Sequence, residues 1–329
     1  MLILDIIILY LYRLSDMDIR DHIGRRVKLH DLRILMAVVQ AGSMNKAAAL
    51  LNTSQPGISR SIAELETAVG ACLLDRKRQG IEPTSYGRAL LECGAAIFDE
   101  LRLGMQNIAF LADPTAGEVR IGSDIPIAAS FVSAVIDRLT RRYPRIVFHL
   151  VATQSETLRR ELSDRTVDLL VTRKWGLIEE GFDFEFLFDD SFVVVAGAQS
   201  PWVRRRTITL AELANEPWVL PPPESLVGSV ATQAFRASGL EYPRATVFTA
   251  TAEVRMGLLA TGRLLTILAT SILRFPTRRR ELKILPVELP IASVPNGIFT
   301  LKNRTLSPVA RLFIEHAREV AKPLVKKKS

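Results

Sequence analysis

Two short helices that must cross closely constrain this chain more than any other feature of its sequence. Ser43 precedes the first helix, at a position where its side-chain oxygen can cap the free amide groups of the N-terminus. Ala47, Ala48 and Leu51 follow on one face, and small alanines let a neighbouring helix approach, as a helix-turn-helix requires. Asn52 breaks the pattern, so we expect a tight turn before the second helix.

The second helix is predicted to bury one face and to expose the other. Ser54 is placed to cap it, and Pro56 falls in its first turn, where a missing amide hydrogen costs little. Both residues set how the chain enters the helix. The face expected to be buried repeats at spacings of four, three and four residues and consists of Ile58, Ile62, Leu65 and Val69.

The exposed face carries groups that can bind nucleic acid. Gln55, Ser59 and Arg60 can read purine edges or hold phosphates, and they lie near the helix N-terminus, which in this motif enters the major groove. A basic, glycine-tipped turn at residues 76–80 suits a wing beside the DNA backbone or minor groove. The alternative is an ordinary helical hairpin with a solvated polar face. The residues expected to contact DNA are Ser43, Ser54, Gln55, Pro56, Ser59, Arg60, Arg76, Lys77 and Arg78.

Residues 28 to 87 resemble the DNA-binding domain of the LysR-type transcriptional regulators. The resemblance rests on spaced elements in a fixed order, namely Gly42-Ser43, Ala47-Ala48, Ser54-Gln55-Pro56, Ser59-Arg60, Leu65-Glu66 and Thr84-x-x-Gly87. It implies a winged helix-turn-helix over residues 27–87 and double-stranded promoter DNA as a partner. The chain departs from the family pattern at Met44-Asn45, Gly57, Leu74 and Pro83, and none of these changes removes a group predicted to face DNA.

A long helix without proline is predicted from Tyr86 to Leu111, and it makes up most of an expected linker over residues 88–113. A heptad seam runs along it, at alternating spacings of four and three, through Leu90, Gly94, Ile97, Leu101, Gly104, Ile108 and Leu111. In the LysR resemblance this linker helix pairs two subunits, which implies a homodimer or a homotetramer. The alternative is a helix packed on its own chain.

From residue 117 onward, strands alternate with helices, which predicts a parallel sheet covered by helices. We expect an effector-binding domain over residues 117–322, with lobe I formed by 117–196 and 295–322 and lobe II by 197–294. This part resembles the LysR effector domain, built like a type 2 periplasmic binding protein, and looks nearest to the galactose-binding-protein regulator branch. The expected fold class is therefore α/β and multidomain.

Small molecules bind at the carboxyl ends of strands in open α/β sheets, where helix N-termini offer amide groups. Hydroxyl residues that follow strands meet that geometry and are expected to bind an effector: Ser123, Thr153, Ser155, Thr249 and Thr251. Thr266, which lies within a predicted strand, is a further candidate. Hydroxyl and amide groups suit a sugar, a sugar acid or another carboxylate. The alternative for each residue is simple helix capping. The proline-rich loop at residues 221–224 is expected to form a rigid wall at the same edge.

Enzyme and metalloprotein readings find little support. The sequence contains no nucleophile elbow, P-loop or dinucleotide-binding glycine motif, and Asp189 and Asp190 would point to opposite faces of a strand. Cys72 and Cys93 do not form a metal-spaced pair, so we expect no catalytic residue, no metal site and no cofactor. A solute-binding protein of a transporter would share the C-terminal fold, but the helix-turn-helix argues against it.

Length, charge and the two ends of the chain complete the sequence-based expectations. The chain has 329 residues and a net charge of +8, which fits two or three domains and mildly favours a polyanionic partner. Residues 1–26 form an N-terminal extension in which 1–16 read as an upstream extension of the reading frame, or else as a short membrane-associating or partner helix. Residues 323–329 form a basic tail. We expect a cytoplasmic protein with RNA polymerase as a further partner and no membrane.

Overall fold

The computed structural model describes residues 27–77, 80–153, 155–174, 176–274 and 281–325. The side chains of Arg76, Ser155 and Glu156 are not part of this description. The chain divides into two compact units between Arg102 and Leu103. The predictions for residues 1–26 and for the end of the basic tail fall outside the described residues.

The first unit is a three-helix core with a β-hairpin and the start of a long helix. Its elements are α1 (Leu29–Ala41), α2 (Met44–Leu50), α3 (Gln55–Val69), β1 (Leu74–Lys77), β2 (Gly80–Pro83) and α4 (Ser85–Ala112). The predicted core forms around Ala47, Ile58 and Leu65, which are fully buried. Val69 was expected on that buried face but is 38% exposed, because it lies in the last turn before α3 ends at Gly70.

The hairpin joins α4 through a contact that requires glycine. Thr84 donates its hydroxyl to the Cys72 carbonyl oxygen and accepts a hydrogen bond from the Gly87 amide. A Cβ at Gly87 would overlap the Leu73 carbonyl oxygen. The Thr84-x-x-Gly87 pattern therefore reflects the packing of the N-terminus of α4 on the residues that lead into β1.

The predicted heptad seam of α4 is divided in two. Gly94 packs against Met36 and Leu32 of α1, and Leu90 contacts the core of the first unit, so this half of the seam is occupied by its own chain. The prediction that the whole seam faces a partner helix was therefore wrong for its N-terminal half. Farther along α4, Leu103 is buried, but four apolar side chains are exposed: Leu101, Met105, Ile108 and Leu111.

The first lobe of the second unit contains a five-stranded mixed sheet in the order β4-β3-β5-β12-β6. Its strands are β3 (Ala116–Ser123), β4 (Arg145–Ala152), β5 (Leu169–Arg173), β6 (Phe182–Asp190) and β12 (Val294–Leu301). Its helices are α5, made of Ile125–Ile127, a π-helical segment Ala128–Val132 and Ser133–Arg142, together with α6 (Ser155–Ser163) and α10 (Pro308–Ala321). The core between sheet and helices includes Phe131, Phe188 and Phe313.

The second lobe is built around a three-stranded antiparallel sheet, β10-β7-β11, and a parallel pair, β8-β9. Its strands are β7 (Phe192–Gly197), β8 (Val219–Leu220), β9 (Val247–Phe248), β10 (Leu265–Ala269) and β11 (Leu282–Ile284). Its α-helices are α7 (Leu226–Ala237), α8 (Ala252–Leu259) and α9 (Thr270–Arg274). Trp218 and Phe235 are fully buried in its core and meet edge to face at 5.5 Å.

Two sequence-based expectations for this unit need correction. The sheet of the first lobe is mixed, because β12 returns from the second lobe and pairs antiparallel with both β5 and β6. Strand β7 was assigned to lobe I (117–196), but it pairs with β10 and β11, so the chain crosses to the second lobe at Ser191, before β7. The α/β multidomain class itself is confirmed.

A pair of helical glycines provides a test of the packing in the second lobe. A Cβ at Gly228 would overlap the Pro222 carbonyl oxygen, whereas one at Gly257 would meet no heavy atom within 4 Å. We expect Gly228→Ala to lower the free energy of unfolding by about 1–3 kcal/mol through overpacking. Gly257→Ala should raise it by about 0.5–1 kcal/mol, because alanine favours the helix. Urea unfolding measures both; equal effects would contradict the close approach at Gly228.

Candidate nucleic-acid interface and effector site

The N-terminus of α3 presents polar side chains outward. The Ser54 hydroxyl accepts a hydrogen bond from the Gly57 amide at 3.3 Å, so Ser54 caps the helix as expected. Gln55 and Arg60 are exposed, and Ser59 is partly exposed. Gln55 and Ser59, four residues apart, share one face of the helix, and Arg60 is exposed beside Ser59.

Ser43 occupies the N-cap position of α2 but does not cap it with its side chain. Its hydroxyl forms no cap hydrogen bond, and the residue is half-buried. The backbone at Ser43 is extended, and its carbonyl oxygen accepts the first helical bond, from the Ala47 amide at 3.0 Å. The sequence-based prediction of a side-chain cap at Ser43 was therefore wrong, and its DNA contact stays a prediction.

Backbone hydrogen bonds and one carboxylate hold the wing in place. The Ile81 amide of β2 donates to the Gly42 carbonyl oxygen at 3.1 Å, which ties the hairpin to the turn between α1 and α2. The Glu66 carboxylate on α3 accepts the amides of Leu73 and Leu74 at 2.7 and 3.3 Å. The wing is thus fixed both to the turn between α1 and α2 and to α3.

Lys77, a predicted phosphate ligand, is paired within the wing. Its ammonium group donates to the Glu82 carboxylate across the hairpin, and both side chains are more than half exposed. That hydrogen bond and the Glu82 charge raise the pKa of Lys77 above its ordinary value. Lys77 would have to exchange Glu82 for a phosphate on binding DNA. The side chain of Arg76 and all of Arg78 lie outside the described residues.

Two of the six predicted effector ligands are occupied by the fold itself. Ser123 is fully buried and donates to the Val171 carbonyl oxygen at 2.6 Å, which joins β3 to β5. Thr266 is fully buried and donates to the Val219 carbonyl oxygen at 2.6 Å, which joins β10 to β8. Both hydroxyls connect neighbouring strands, so their predicted effector role finds no support in this geometry.

The other predicted effector ligands lie at strand ends. Thr153 follows β4 and is half-buried, and its amide donates to the Ser123 carbonyl oxygen at 3.1 Å. Thr249 follows β9, and its hydroxyl accepts the Thr251 amide at 3.2 Å. Thr251 is exposed and does not cap α8 with its side chain. Ser155 opens α6, but its side chain is outside the description.

A buried charge network lies where the two lobes meet. Arg173, at the end of β5, donates to Asp124 at 3.1 Å and to Asp190 at 2.9 Å. Asp124 also caps α5 by accepting the Ile127 amide. Asp190 also accepts the amide and the hydroxyl of Ser271, at the start of α9, at 2.9 and 2.6 Å. The network therefore connects the end of β5, the end of β6 and the helix α9 of the second lobe.

Electrostatics favours the charged form of Arg173. Burial opposes the Arg173 charge, but the two carboxylates and their hydrogen bonds outweigh burial and raise the pKa of Arg173. Asp190 is fully buried and Asp189 is exposed, so the adjacent carboxylates point to opposite faces as predicted.

Sequence reasoning missed two polar residues at the same boundary. Asn296, opposite Arg173 in the sheet, is fully buried, and neither polar atom of its side chain has a partner within the described chain. Arg255 on α8 is 2% exposed, and its Nε is likewise without a partner. Neither residue belongs to a motif, so their burial could not be read from the sequence.

The described residues show neither a metal site nor a membrane span. No group of three or more histidine, cysteine, aspartate or glutamate side chains among them could hold a metal ion. Within the same ranges, no helix is both long and apolar enough to cross a membrane.

Comparisons with known proteins match both units. The family described as "LysR substrate binding domain" matches residues 112–322, and "Bacterial regulatory helix-turn-helix protein, lysR family" matches residues 29–88. The HTH-type transcriptional regulator GbpR of Azospirillum brasilense is 28% identical over 288 residues, covering 87% of this chain and 84% of GbpR. The transcriptional dual regulator GltC of Bacillus subtilis is 26% identical over 289 residues, covering 88% and 96%. In agreement with the expectation that the chain is not an enzyme, these relatives are regulators.

Solved structures support the fold. A full-length OxyR variant from Pseudomonas aeruginosa superposes with a TM-score of 0.67 at 19% identity, over 93% of this chain and 100% of that one. Full-length CbnR complexed with its target DNA superposes with a TM-score of 0.53 at 22% identity, over 90% and 100%.

The charge network can be tested through stability. Arg173→Met would leave two buried carboxylates without their cation, so we expect a loss of about 3–5 kcal/mol in the free energy of unfolding. Arg318→Met is the matched control, because Arg318 pairs with Glu185 at the surface with about half of its side chain exposed. That change should cost about 0–1 kcal/mol. Chemical unfolding of both variants measures the two free-energy changes. Similar losses of stability in Arg173→Met and Arg318→Met would contradict the structural role of Arg173.

Proposed function

Because the chain belongs to the LysR family of DNA-binding transcriptional regulators with an effector-binding domain, we propose that it binds promoter DNA sequence-specifically under the control of a small molecule. The observation that carries this proposal is the N-terminus of α3, where Gln55, Ser59 and Arg60 face outward from a winged helix-turn-helix. Side chains of these types form hydrogen bonds with base edges and phosphates in the major groove.

The proposed DNA contacts divide into two kinds. Gln55, Ser59 and Arg60 touch bases or the nearby backbone, while Ser54 and Pro56 fix how α3 enters the groove. Arg76, Lys77 and Arg78 of the wing hold phosphates, and Ser43 lies at the start of α2. Base contacts set sequence preference, whereas phosphate contacts set the salt dependence of all binding.

The effector is proposed to bind between the lobes, at the strand ends that carry Thr153, Ser155, Thr249 and Thr251. The hydroxyls and helix-end amides there suit a sugar, a sugar acid or another carboxylate. The proline loop supports one side of this region. The Tyr242 hydroxyl donates to the Pro221 carbonyl oxygen at 2.7 Å, and Ser225 donates to that of Pro222 at 2.6 Å.

Self-association is proposed through the exposed stripe of α4. Met105, Ile108 and Leu111 are 66%, 61% and 82% exposed, and they repeat at helical spacing. A second copy of the same helix would bury them, which gives a homodimer as the unit of a homotetramer. We place the protein in the cytoplasm, with RNA polymerase as a further partner.

The proposed function is tested by the binding of purified full-length protein to DNA upstream of its own gene. Fluorescence anisotropy should be recorded at several salt concentrations, beside an unrelated duplex of equal length. We expect a preference of about a thousandfold or more, with affinity falling steeply as salt rises. Failure to bind either duplex at low salt would contradict the proposal.

Base reading by α3 can be separated from general DNA affinity. Gln55→Ala should lower the preference for the specific duplex by about 1–3 kcal/mol while leaving binding to the unrelated duplex almost unchanged, because base contacts carry sequence information. Gln40→Ala on α1 is a matched control, since Gln40 is exposed but lies on another helix. The role of Gln55 would be disproved by an unaltered preference.

The α4 stripe can be tested by introducing one charge. Ile108→Glu should dissociate the oligomer, because it would bury an unpaired carboxylate at the helix contact. Ala109→Glu places the same charge on the adjacent exposed residue, away from the centre of the stripe, and should leave the oligomer intact. Sedimentation velocity measures the assembly state. An Ile108→Glu protein as large as the wild type would show that another surface joins the subunits.

A further inference from the structure

We propose that the effector carries a carboxylate and that Arg255 binds this group through its Nε and Nη2 atoms. The inference rests on the proposed function, in which the C-terminal domain binds a small-molecule effector. The effector is then a carboxylate and not a neutral sugar, and its ligand Arg255 is a residue that the hydroxyl pattern did not suggest.

Arg255 is a buried cation without an acidic partner. The residue is 2% exposed, yet it forms no ion pair with any carboxylate of the described chain. The other buried arginines behave differently: Arg173 contacts two aspartates, and Arg304 contacts Asp168 at 3.1 Å. A buried charge is costly unless an opposite charge or hydrogen bonds compensate it, so Arg255 favours an anion that the protein does not supply.

The hydrogen bonds of Arg255 leave one edge of its guanidinium group available. Nη1 donates to the carbonyl oxygens of Thr249 and Ala250, at 2.8 and 3.1 Å. Nε has no partner, and the hydrogen bonds of Arg255 within the described chain do not include Nη2. Nε and Nη2 form the side-on edge of the guanidinium group, which matches the two oxygens of a carboxylate in a bidentate pair.

Burial is the main penalty on the positive charge of Arg255. Burial lowers the pKa of Arg255 to about 10, Tyr242 and Glu253 oppose this, and the positive charge of Arg173 lowers it further. A bound carboxylate would offset the cost of burying the Arg255 charge, because it would supply a partner of opposite charge. Arg255 would then be stabilised in its charged form.

Arg255 lies where an effector would be held by both lobes. It projects from the first turns of α8 and fixes the turn that follows β9, so it belongs to the carboxyl-terminal edge of the second lobe. Arg173, whose charge acts on it, ends β5 of the first lobe. The half-buried Thr249 lies beside the same turn and offers a hydroxyl group to the rest of the ligand.

The test uses simple carboxylates as probes. Sodium formate, acetate, D-gluconate and benzoate are added to the full-length protein, each against sodium chloride at equal ionic strength, and the unfolding temperature is measured. D-glucose and benzamide serve as neutral counterparts. The variants are Arg255→Gln, Arg255→Lys and, as matched control, Arg236→Gln, because Arg236 is an exposed arginine on α7 of the same lobe.

We expect at least one carboxylate to raise the unfolding temperature of the wild type and of Arg236→Gln by about 2–4 °C more than chloride does. Arg255→Gln should lose this rise and Arg255→Lys should retain part of it. The proposal is overturned if no carboxylate acts differently from chloride, or if Arg255→Gln responds like the wild type.

Two further measurements keep the result decisive. If Arg255→Gln does not fold, nuclear magnetic resonance of the wild type replaces the comparison with that variant. The signal to follow is the Nε–H of Arg255, which is identified because it is missing from the spectrum of Arg255→Lys. Carboxylate must shift that signal, and an unmoved signal overturns the proposal. If a neutral probe stabilises wild type and Arg255→Gln equally, the proposal of a carboxylate effector is contradicted, but the proposal that the domain binds an effector is not. Loss of specific promoter binding by the wild type would instead contradict the proposed function itself.

Discussion

The arrangement of the C-terminal domain depends on the buried ion pairs that Arg173 forms with Asp124 and Asp190. Arg173 reaches Asp124, which caps α5, and Asp190, which ends the crossover strand β6. Asp190 in turn holds Ser271 of the second lobe. A buried charge is destabilising when it loses its partner, so Arg173, Asp124 and Asp190 stabilise one another. The positions of the α5 N-terminus, the end of β6 and the second lobe therefore depend on one another.

Arg173 and Arg255 show how the same side chain can serve structure or ligand binding. Arg173 has two carboxylate partners supplied by the chain, so its charge is used within the fold. Arg255 is equally buried but has only carbonyl partners. A ligand carboxylate on Arg255 would bring a negative charge toward the Arg173 network. A ligand bound at Arg255 would thereby act on the charged groups that connect the two lobes.

The sequence predicts the DNA-binding unit better than the effector site, for a physical reason. Caps, turns and buried faces such as Ser54 and Ile58 depend on neighbours a few residues away. Which side chains are free to bind an effector depends on partners far apart in sequence. The hydroxyl of Ser123, for example, donates to Val171, which is 48 residues away in β5. The charged partners of Arg173 and the missing partner of Arg255 are equally long-range. Strand β6 was missed although its phenylalanines alternate, which is a signal that sequence reading could have used.

Selection of preferred sites from a random duplex library by the purified full-length protein tests the central claim most directly. The selection works whichever gene the protein regulates. A dimer that inserts the N-terminus of α3 into the major groove should enrich an inverted repeat, with half-site centres about 10 base pairs apart or at a multiple of that spacing. The Gln55→Ala protein should enrich a more degenerate repeat. A library that stays random after repeated rounds, or a site without two-fold symmetry, would contradict the account of a dimeric, sequence-reading regulator.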